Sequence, residues 1–140
     1  MPKSWGLAGA IAHFGAAGKN PRWSWSGRSA DGTTVVITLW RDLIRRQDGR
    51  IVYDNFERAQ EPNPSWIRRP GNRERLENLL WARDHCDGYF KVVVVVAKDT
   101  NAEPREIAEC YPQDRLRMRL ERIDEASGRF RAIQEALDGR

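Results

Sequence analysis

The chain has 140 residues, of which 40% are hydrophobic and 31% are charged, and this balance excludes an intrinsically disordered chain. Its length predicts a single domain, residues 1–140, that is long enough to bury a hydrophobic core. Arginine makes up 20 of the 24 basic residues, and the formal net charge is +4. Because a guanidinium group matches phosphate and stacks on bases, this bias favours an anionic partner, nucleic acid before others.

Cysteine usage and the first apolar stretch indicate where the protein works. Cys86 and Cys110 are too few for a disulfide framework, and with two histidines they make a poor zinc set. We therefore expect reduced thiols in a cytoplasmic protein. The apolar stretch 5–17 is too short to span a membrane and is interrupted by His13. It predicts a helix from Ser4 to about Gly15 that packs on the domain, rather than a signal peptide, and no membrane partner.

A β-hairpin is predicted around Asp31-Gly32, a dipeptide typical of tight hairpin turns. Counting outward from this turn places Trp23 opposite Trp40 and Trp25 opposite Thr38. Three of the six tryptophans would then share one face of the hairpin. Residues 33–39 are apolar on both faces, which is typical of a strand inside a sheet.

The remaining elements are predicted from turn residues and apolar periodicity. They are, in chain order, a short strand at 50–53, an irregular segment at 57–72, a helix from Asn72 to about Cys86, a buried central strand at 92–96, a helical turn at 105–110, and a hairpin of 115–123 with 129–133. Together they predict an α+β fold, in which two main helices accompany a curved, mostly antiparallel sheet or a small open barrel.

Aromatic residues are the first candidate site. Rings on a sheet stack bases for about 1–3 kcal/mol each, or wall a pocket for one extruded base. The candidate base-binding rings are Trp23, Trp25, Trp40 and Trp66. The short polar side chains that could probe the edge of the base are Ser24, Ser26, Asp42 and Asn101. The alternative is that the rings form the hydrophobic core, since tryptophan buries a large area.

Arginines form the second and third candidate sites, both for phosphate. Alternation along one strand places a row of like charges on one face, and the next strand adds to it; these residues are Arg115, Arg117, Arg119, Arg129 and Arg131. Such a row is either a phosphate track or a solvated outer face. A basic loop also leads into a helix N-terminus, which favours an anion, through Arg68, Arg69 and Arg73.

The sequence indicates no catalytic residue, no cofactor and no metal site. His85 lies beside Cys86, but adjacent side chains on a helix point apart and make no nucleophile–base pair. The acids that could include the metal-binding pair of a nuclease are Asp42, Asp54, Asp84 and Asp99. A metal-dependent enzyme acting on nucleic acid therefore stays open as an alternative, as does a protein-interaction domain that uses exposed tryptophans.

The segment Asn-Pro-Arg-Trp-Ser-Trp-Ser at 20–26, followed by Asp31-Gly32 and Thr-Leu-Trp-Arg-Asp at 38–42, resembles parts of small domains associated with HNH-type and modification-dependent restriction endonucleases. Those domains are similar to the PUA/SRA-like group of curved sheets that bind modified bases. The resemblance implies a base pocket lined by tryptophans and transfers no catalytic role. The leading hypothesis is a nucleic-acid-binding module, with DNA favoured over RNA and a separately encoded nuclease as a candidate partner.

Overall fold

The computed structural model describes residues 5–20, 22–56, 69–102 and 105–135. Within these ranges the helices are α1 (Leu7–Ala12) and α2 (Pro70–His85), and a single 3-10 turn spans Arg41–Leu43. The strands are β1 (Ala16–Ala17), β2 (Ser26–Ser29), β3 (Val35–Trp40), β4 (Ile44–Gln47), β5 (Arg50–Asp54), β6 (Tyr89–Ala97), β7 (Ile107–Ile123) and β8 (Phe130–Gln134).

All eight strands belong to one sheet, in the order β1-β2-β3-β6-β7-β8-β5-β4. Only β3 and β6 pair in parallel, and the chain between them includes α2. Because the first and last strands in this order do not pair, the sheet stays open. The fold is therefore α+β with a curved, mostly antiparallel open sheet, as the sequence predicts.

The sheet has two faces, and each has its own hydrophobic cluster. The inner face curves around α2, where Leu79 and Ala82 pack against residues from β3, β5, β6, β7 and β8. The outer face is covered in part by α1, through Ile11 against Val93 and Val95. His13, which follows α1, fixes this helix to β7 because its Nε2 lies 2.6 Å from a carboxylate oxygen of Asp114. The run of valines in β6 has a structural reason, because this strand is buried on both faces of the sheet.

The predicted hairpin register is confirmed, although the turn is longer than two residues. Ser26 pairs with Ile37 and Arg28 with Val35, which is the register that Asp31-Gly32 predicts. Beyond β2 it continues one step, because the Thr38 backbone N–H donates to the Trp25 carbonyl. Gly32 takes φ of 75°, a left-handed conformation that glycine adopts at no steric cost.

The predicted helical turn at 105–110 is wrong, because this segment begins the long strand β7. Pro112 lies within this strand, opposite Val93. It is tolerated because β8 pairs only with the part of β7 from Met118 onward, so Pro112 lies at a sheet edge where no ladder hydrogen bond is lost. The strands β1 and β4 were not predicted from the sequence, and α1 ends before the predicted Gly15.

Candidate functional site

The part of the outer face that α1 leaves uncovered carries a continuous row of residues across five strands. Strand register places these residues side by side in the order Tyr89, Arg119, Ile133, Val52 and Arg45. They point outward because their neighbours along each strand, such as Phe90 and Met118, belong to the inner cluster. Within this row Val52 is only 4% exposed, so the accessible part runs from Tyr89 over Arg119 to Ile133.

Arginines cluster around the half-buried ring of Tyr89. The guanidinium carbon of Arg117 lies 4.4 Å from the ring centroid, and that of Arg119 lies 5.9 Å away. Both distances fall within the range of cation–π attraction. Lys91 is the direct cross-strand partner of Arg117. Three cations and one aromatic ring therefore share a small area at the β6–β7 pair.

A fourth cation extends this area across the sheet. Arg122 pairs with Arg131 across the β7–β8 ladder and lies on the outer face, with its guanidinium carbon 3.9 Å from the centroid of Phe56. We call the surface formed by Tyr89, Lys91, Arg117, Arg119 and Arg122 the basic face. Among the residues that the structure describes, none of the four cations of the basic face has an ion-pair partner. Its positive charge is not neutralised within the described protein.

Arg131, by contrast, is already neutralised by the protein. Its guanidinium lies 3.2 Å from Asp54 and 3.0 Å from Glu121, and it also donates to the side-chain oxygen of Gln47. The hydrogen bonds that Arg131 donates to the two carboxylates raise the pKa of Arg131. This network leaves Arg131 little capacity for a phosphate. The structure therefore separates Arg131 from the other predicted arginines of the row.

The remaining predicted phosphate-binding arginines lie in three places. Arg115 is exposed where the β6–β7 register shifts, beside the basic face, and Arg129 lies in the turn that precedes β8. Arg69 and Arg73 are exposed at the start of α2, and Arg68 lies outside the described residues.

The predicted base-reading residues fall into two groups, and the first group packs against α2. The Trp25 ring packs against Gly71 and Arg75. Ser26 accepts a hydrogen bond from Asn78 through its hydroxyl, and Ser24 accepts one from the Asn20 backbone N–H. Trp23 is half-buried beside them, since its carbonyl oxygen also lies against Gly71. Trp66 lies outside the described residues.

The second group lies beyond the end of β3. Both carboxylate oxygens of Asp42 accept hydrogen bonds from Arg105, at 2.7 and 2.8 Å. The same guanidinium lies 5.0 Å from the ring centroid of Trp40, and the Arg105 side chain is only 6% exposed. Asn101 is exposed in the loop after β6, where its backbone N–H donates to Asp99. Asp42 thus holds Arg105 in place, and the pocket that would unite both groups stays a prediction.

A buried polar cluster on α2 is a feature that the sequence analysis did not identify. Arg75 is 4% exposed, and its guanidinium carbon lies 5.2 Å from the Trp25 ring and 5.5 Å from the Phe130 ring. Its Nη2 donates to the side-chain oxygen of Asn72, whose Nδ2 donates in turn to the Ser127 carbonyl. Burial lowers the pKa of Arg75. We call Asn72, Glu74, Arg75 and Asn78 the inner polar cluster.

The other two members of the inner polar cluster connect α2 to the N-terminal part of the sheet. Glu74 accepts a hydrogen bond from the backbone N–H of Lys19 at 2.6 Å. Asn78 donates to Ser26 and accepts from the Nε of Arg28. Each contact joins residues about fifty positions apart in the sequence, so the inner polar cluster fixes how α2 sits within the curved sheet.

Tyr89, Lys91 and Arg122 belong to the basic face but were not predicted as site residues from the sequence. The alternation Tyr-Phe-Lys before the valine run does predict that Tyr89 and Lys91 share one face. Their position beside Arg117 and Arg119, however, depends on a register shift between β6 and β7 that has no clear sequence signal. The tyrosine therefore could not be assigned to the arginine row from the sequence alone.

Comparisons with protein-family models, with curated proteins and with solved structures found no match to this chain. Within the described ranges, no three His, Cys, Asp or Glu side chains come together as a possible metal site. Neither α1 nor α2 combines the length and the apolar character needed to cross a membrane.

Proposed function

We propose that this protein is a nucleic-acid-binding module whose basic face contacts the phosphate backbone. One observation carries the proposal. Lys91, Arg117 and Arg119 surround Tyr89 on the outer face, beside the part that α1 covers, and no described carboxylate neutralises them.

Electrostatics favour an anionic ligand at this position. Lys91 and Arg117 face each other directly across the β6–β7 ladder, and like charges in that position are destabilising. Phosphates on the basic face would relieve this repulsion. Arginine also suits phosphate better than lysine does, because its planar fork binds two oxygens at once.

The test is fluorescence-anisotropy binding of labelled oligonucleotides across a series of salt concentrations. Each lost phosphate contact lowers the slope of log affinity against log salt by about 0.7 for single strands and about 0.9 for duplex DNA. The double variant Arg117→Ala/Arg119→Ala should therefore bind more weakly, with a slope that is shallower by about 1.4 to 1.8. The matched control is Arg22→Ala/Arg83→Ala, which removes the same charge from exposed positions outside the basic face.

Two results would contradict the proposal. One is an absence of salt-sensitive binding to any oligonucleotide at low salt. The other is an equal loss of affinity in the control variant, which would show a general effect of net charge rather than a contact surface.

Recognition of a modified base, which the resemblance to PUA/SRA-like domains implies, is a finer part of the same proposal. It requires one of the tryptophans beside the inner polar cluster to accept a base, and Trp23 and Trp25 are each half-buried there. Binding to DNA with and without cytosine or adenine modification tests it. A preference for one modified form that disappears in Trp23→Ala supports base reading, and equal affinity for all forms contradicts it.

A further inference from the structure

The basic face lies on β6 and β7, which are inner strands of the sheet between β3 and β8, so the surface that would meet duplex DNA is wider than these two strands. Adjacent strands lie about 4.8 Å apart, so the row from Tyr89 to Arg45 across five strands spans roughly 19 Å. The major groove is about 12 Å wide and admits a helix or a two-stranded ribbon. This surface therefore cannot reach the base edges of an intact duplex.

The outer face is also convex, because the inner face curves around α2. A straight duplex would touch a convex surface along a short length only, which limits the number of phosphates it can place there. A single strand bends freely and follows such a surface. Shape therefore favours a single-stranded ligand over a duplex.

The pair of Tyr89 and Arg117 supplies a place for one base. The guanidinium of Arg117 lies against the tyrosine ring, and its Nε is buried without a hydrogen-bond partner in the described protein. The guanidinium is thereby held by the ring rather than by a polar neighbour. Planar guanidinium groups and aromatic rings are the two kinds of surface on which unpaired bases stack.

The residues around this pair suit the nucleotides on either side of the stacked base. Lys91 and Arg119 flank it at the β6–β7 ladder, where they can neutralise phosphates on either side of a stacked base. The half-buried Ile133 is the next residue in the row and offers apolar surface to the neighbouring sugar or base. α1 covers Val93 and Val95, so the nucleic-acid strand would extend away from that helix, toward Ile133 of β8.

We infer that the preferred ligand is single-stranded nucleic acid, with one base stacked on the Arg117–Tyr89 pair and its flanking phosphates on Lys91 and Arg119. This inference rests on the proposed function and adds to it the class of nucleic acid and the residues that contact a base. Base stacking of this kind tolerates any sequence, because every base has a flat face.

The experiment is a competition assay on the full chain. A labelled 12-nucleotide single strand is displaced by the same unlabelled strand or by the corresponding blunt duplex, in DNA and RNA versions. We expect the single strand to compete at least tenfold better than the duplex. Comparing the two sugars also shows whether DNA is preferred over RNA.

Three substitutions test the stacked base without changing the charge. Tyr89→Leu removes the ring, and Arg117→Lys keeps the charge but loses the planar group. Each should weaken single-strand binding by at least about fivefold, with an unchanged salt slope. Tyr89→Phe keeps the ring and should bind like the unaltered protein. Circular dichroism shows whether Tyr89→Leu remains folded, and Arg117→Lys provides the test if it does not.

The outcomes separate this inference from the proposed function. If the duplex competes as well as the single strand, or if folded Tyr89→Leu and Arg117→Lys keep full affinity, the inference is overturned. If binding is nevertheless lost in Arg117→Ala/Arg119→Ala, the proposed function stands, because the basic face would still be the surface that contacts phosphates. If no oligonucleotide binds at low salt, both fail.

Discussion

Arg75 and Arg117 carry the same side chain in opposite surroundings. Arg75 projects from α2 into the curve of the sheet, where it is 4% exposed, contacts two aromatic rings and donates to Asn72. Arg117 lies on the outer face against a single ring, without a described ion-pair partner. The hydrogen bonds of the inner polar cluster go to groups of the protein, and one buried oxygen of Glu74, Oε1, has no hydrogen-bond partner among the described residues, so the contribution of this cluster is to folding. The basic face leaves its charge to be neutralised from outside, so its contribution is to binding.

The largest effect that this comparison predicts is on the stability of Arg75→Ala. The substitution leaves a cavity between Trp25 and Phe130 and removes a hydrogen-bond donor from the buried Asn72. We expect the free energy of unfolding to fall by about 3–5 kcal/mol. Urea unfolding measures it. The control is Arg73→Ala, an exposed residue on the same helix, which should change stability by less than about 0.5 kcal/mol. If the two variants are equally stable, the inner polar cluster does not have the folding role assigned to it.

A steric test of the same region comes next in size. A Cβ added at Gly71 would lie 2.6 Å from the Trp25 ring and 2.8 Å from the Trp23 carbonyl oxygen. Gly71→Ala should therefore destabilise the protein by about 1–3 kcal/mol. Gly9→Ala is the matched control, because a Cβ at Gly9, within α1, meets nothing within 4 Å. There alanine should be neutral or stabilising by up to about 1 kcal/mol. Thermal unfolding of both variants would show the opposite signs, and equal effects would contradict the close contact.

Asp42 is a residue for which the sequence predicts a base-reading role and the structure shows an ion pair with Arg105. Asp42→Asn leaves the buried Arg105 without its charged partner, and we expect a loss of about 1–2 kcal/mol in unfolding free energy. Oligonucleotide affinity should not change, since Asp42 is outside the basic face. Asp48→Asn is the control, because Asp48 is an exposed turn residue with φ of 52°, a conformation that asparagine accepts. A change in oligonucleotide affinity for Asp42→Asn alone would restore the base-reading role.

These cases show which parts of the molecule the sequence could predict. The β2–β3 register follows from a local rule, since the turn around Asp31 fixes every pairing outward from it. Five consecutive valines predict a strand buried on both faces, because few other positions tolerate so much apolar surface. Alternation in β7 likewise predicts that Leu116 and Met118 are buried and the arginines between and beside them point outward.

The sites depend on contacts that local rules do not reach. Tyr89 meets Arg117 only because β7 shifts its register against β6, and Arg75 is buried only because the sheet curves around α2. Glutamate and arginine side chains on a helix are expected to be solvent-exposed, so Glu74 and Arg75 gave no sign of being buried. The surroundings of Arg75 and of Arg117 could therefore be identified only from the tertiary structure.

The smallest predicted effect concerns Asp31, which is polar and exposed, yet is held entirely by its own turn. Its carboxylate accepts hydrogen bonds from the Ser29 hydroxyl and from the backbone N–H and hydroxyl of Thr33, which together lower its pKa from 3.8 to about 2. A carboxyl group whose pKa is lower in the folded state stabilises the protein when ionised. This contribution is complete above about pH 4 and disappears as the pH falls toward 2.

Asp31→Asn should consequently flatten the decline of stability between pH 4 and pH 2, measured by urea unfolding at a series of pH values. Asp124, whose pKa is lowered by the Ser127 hydroxyl, retains its own share of that decline in both proteins. Oligonucleotide affinity at pH 7 should be the same in both, because the turn lies apart from the basic face. If the free energy of unfolding of Asp31→Asn declines as steeply between pH 4 and pH 2 as that of the unaltered protein, the turn does not lower the pKa of Asp31 relative to the unfolded chain. Asp31 would then contribute nothing to folding, and the charged groups that stabilise the folded chain would be those held by buried partners, such as Arg75 and the Asp42–Arg105 pair.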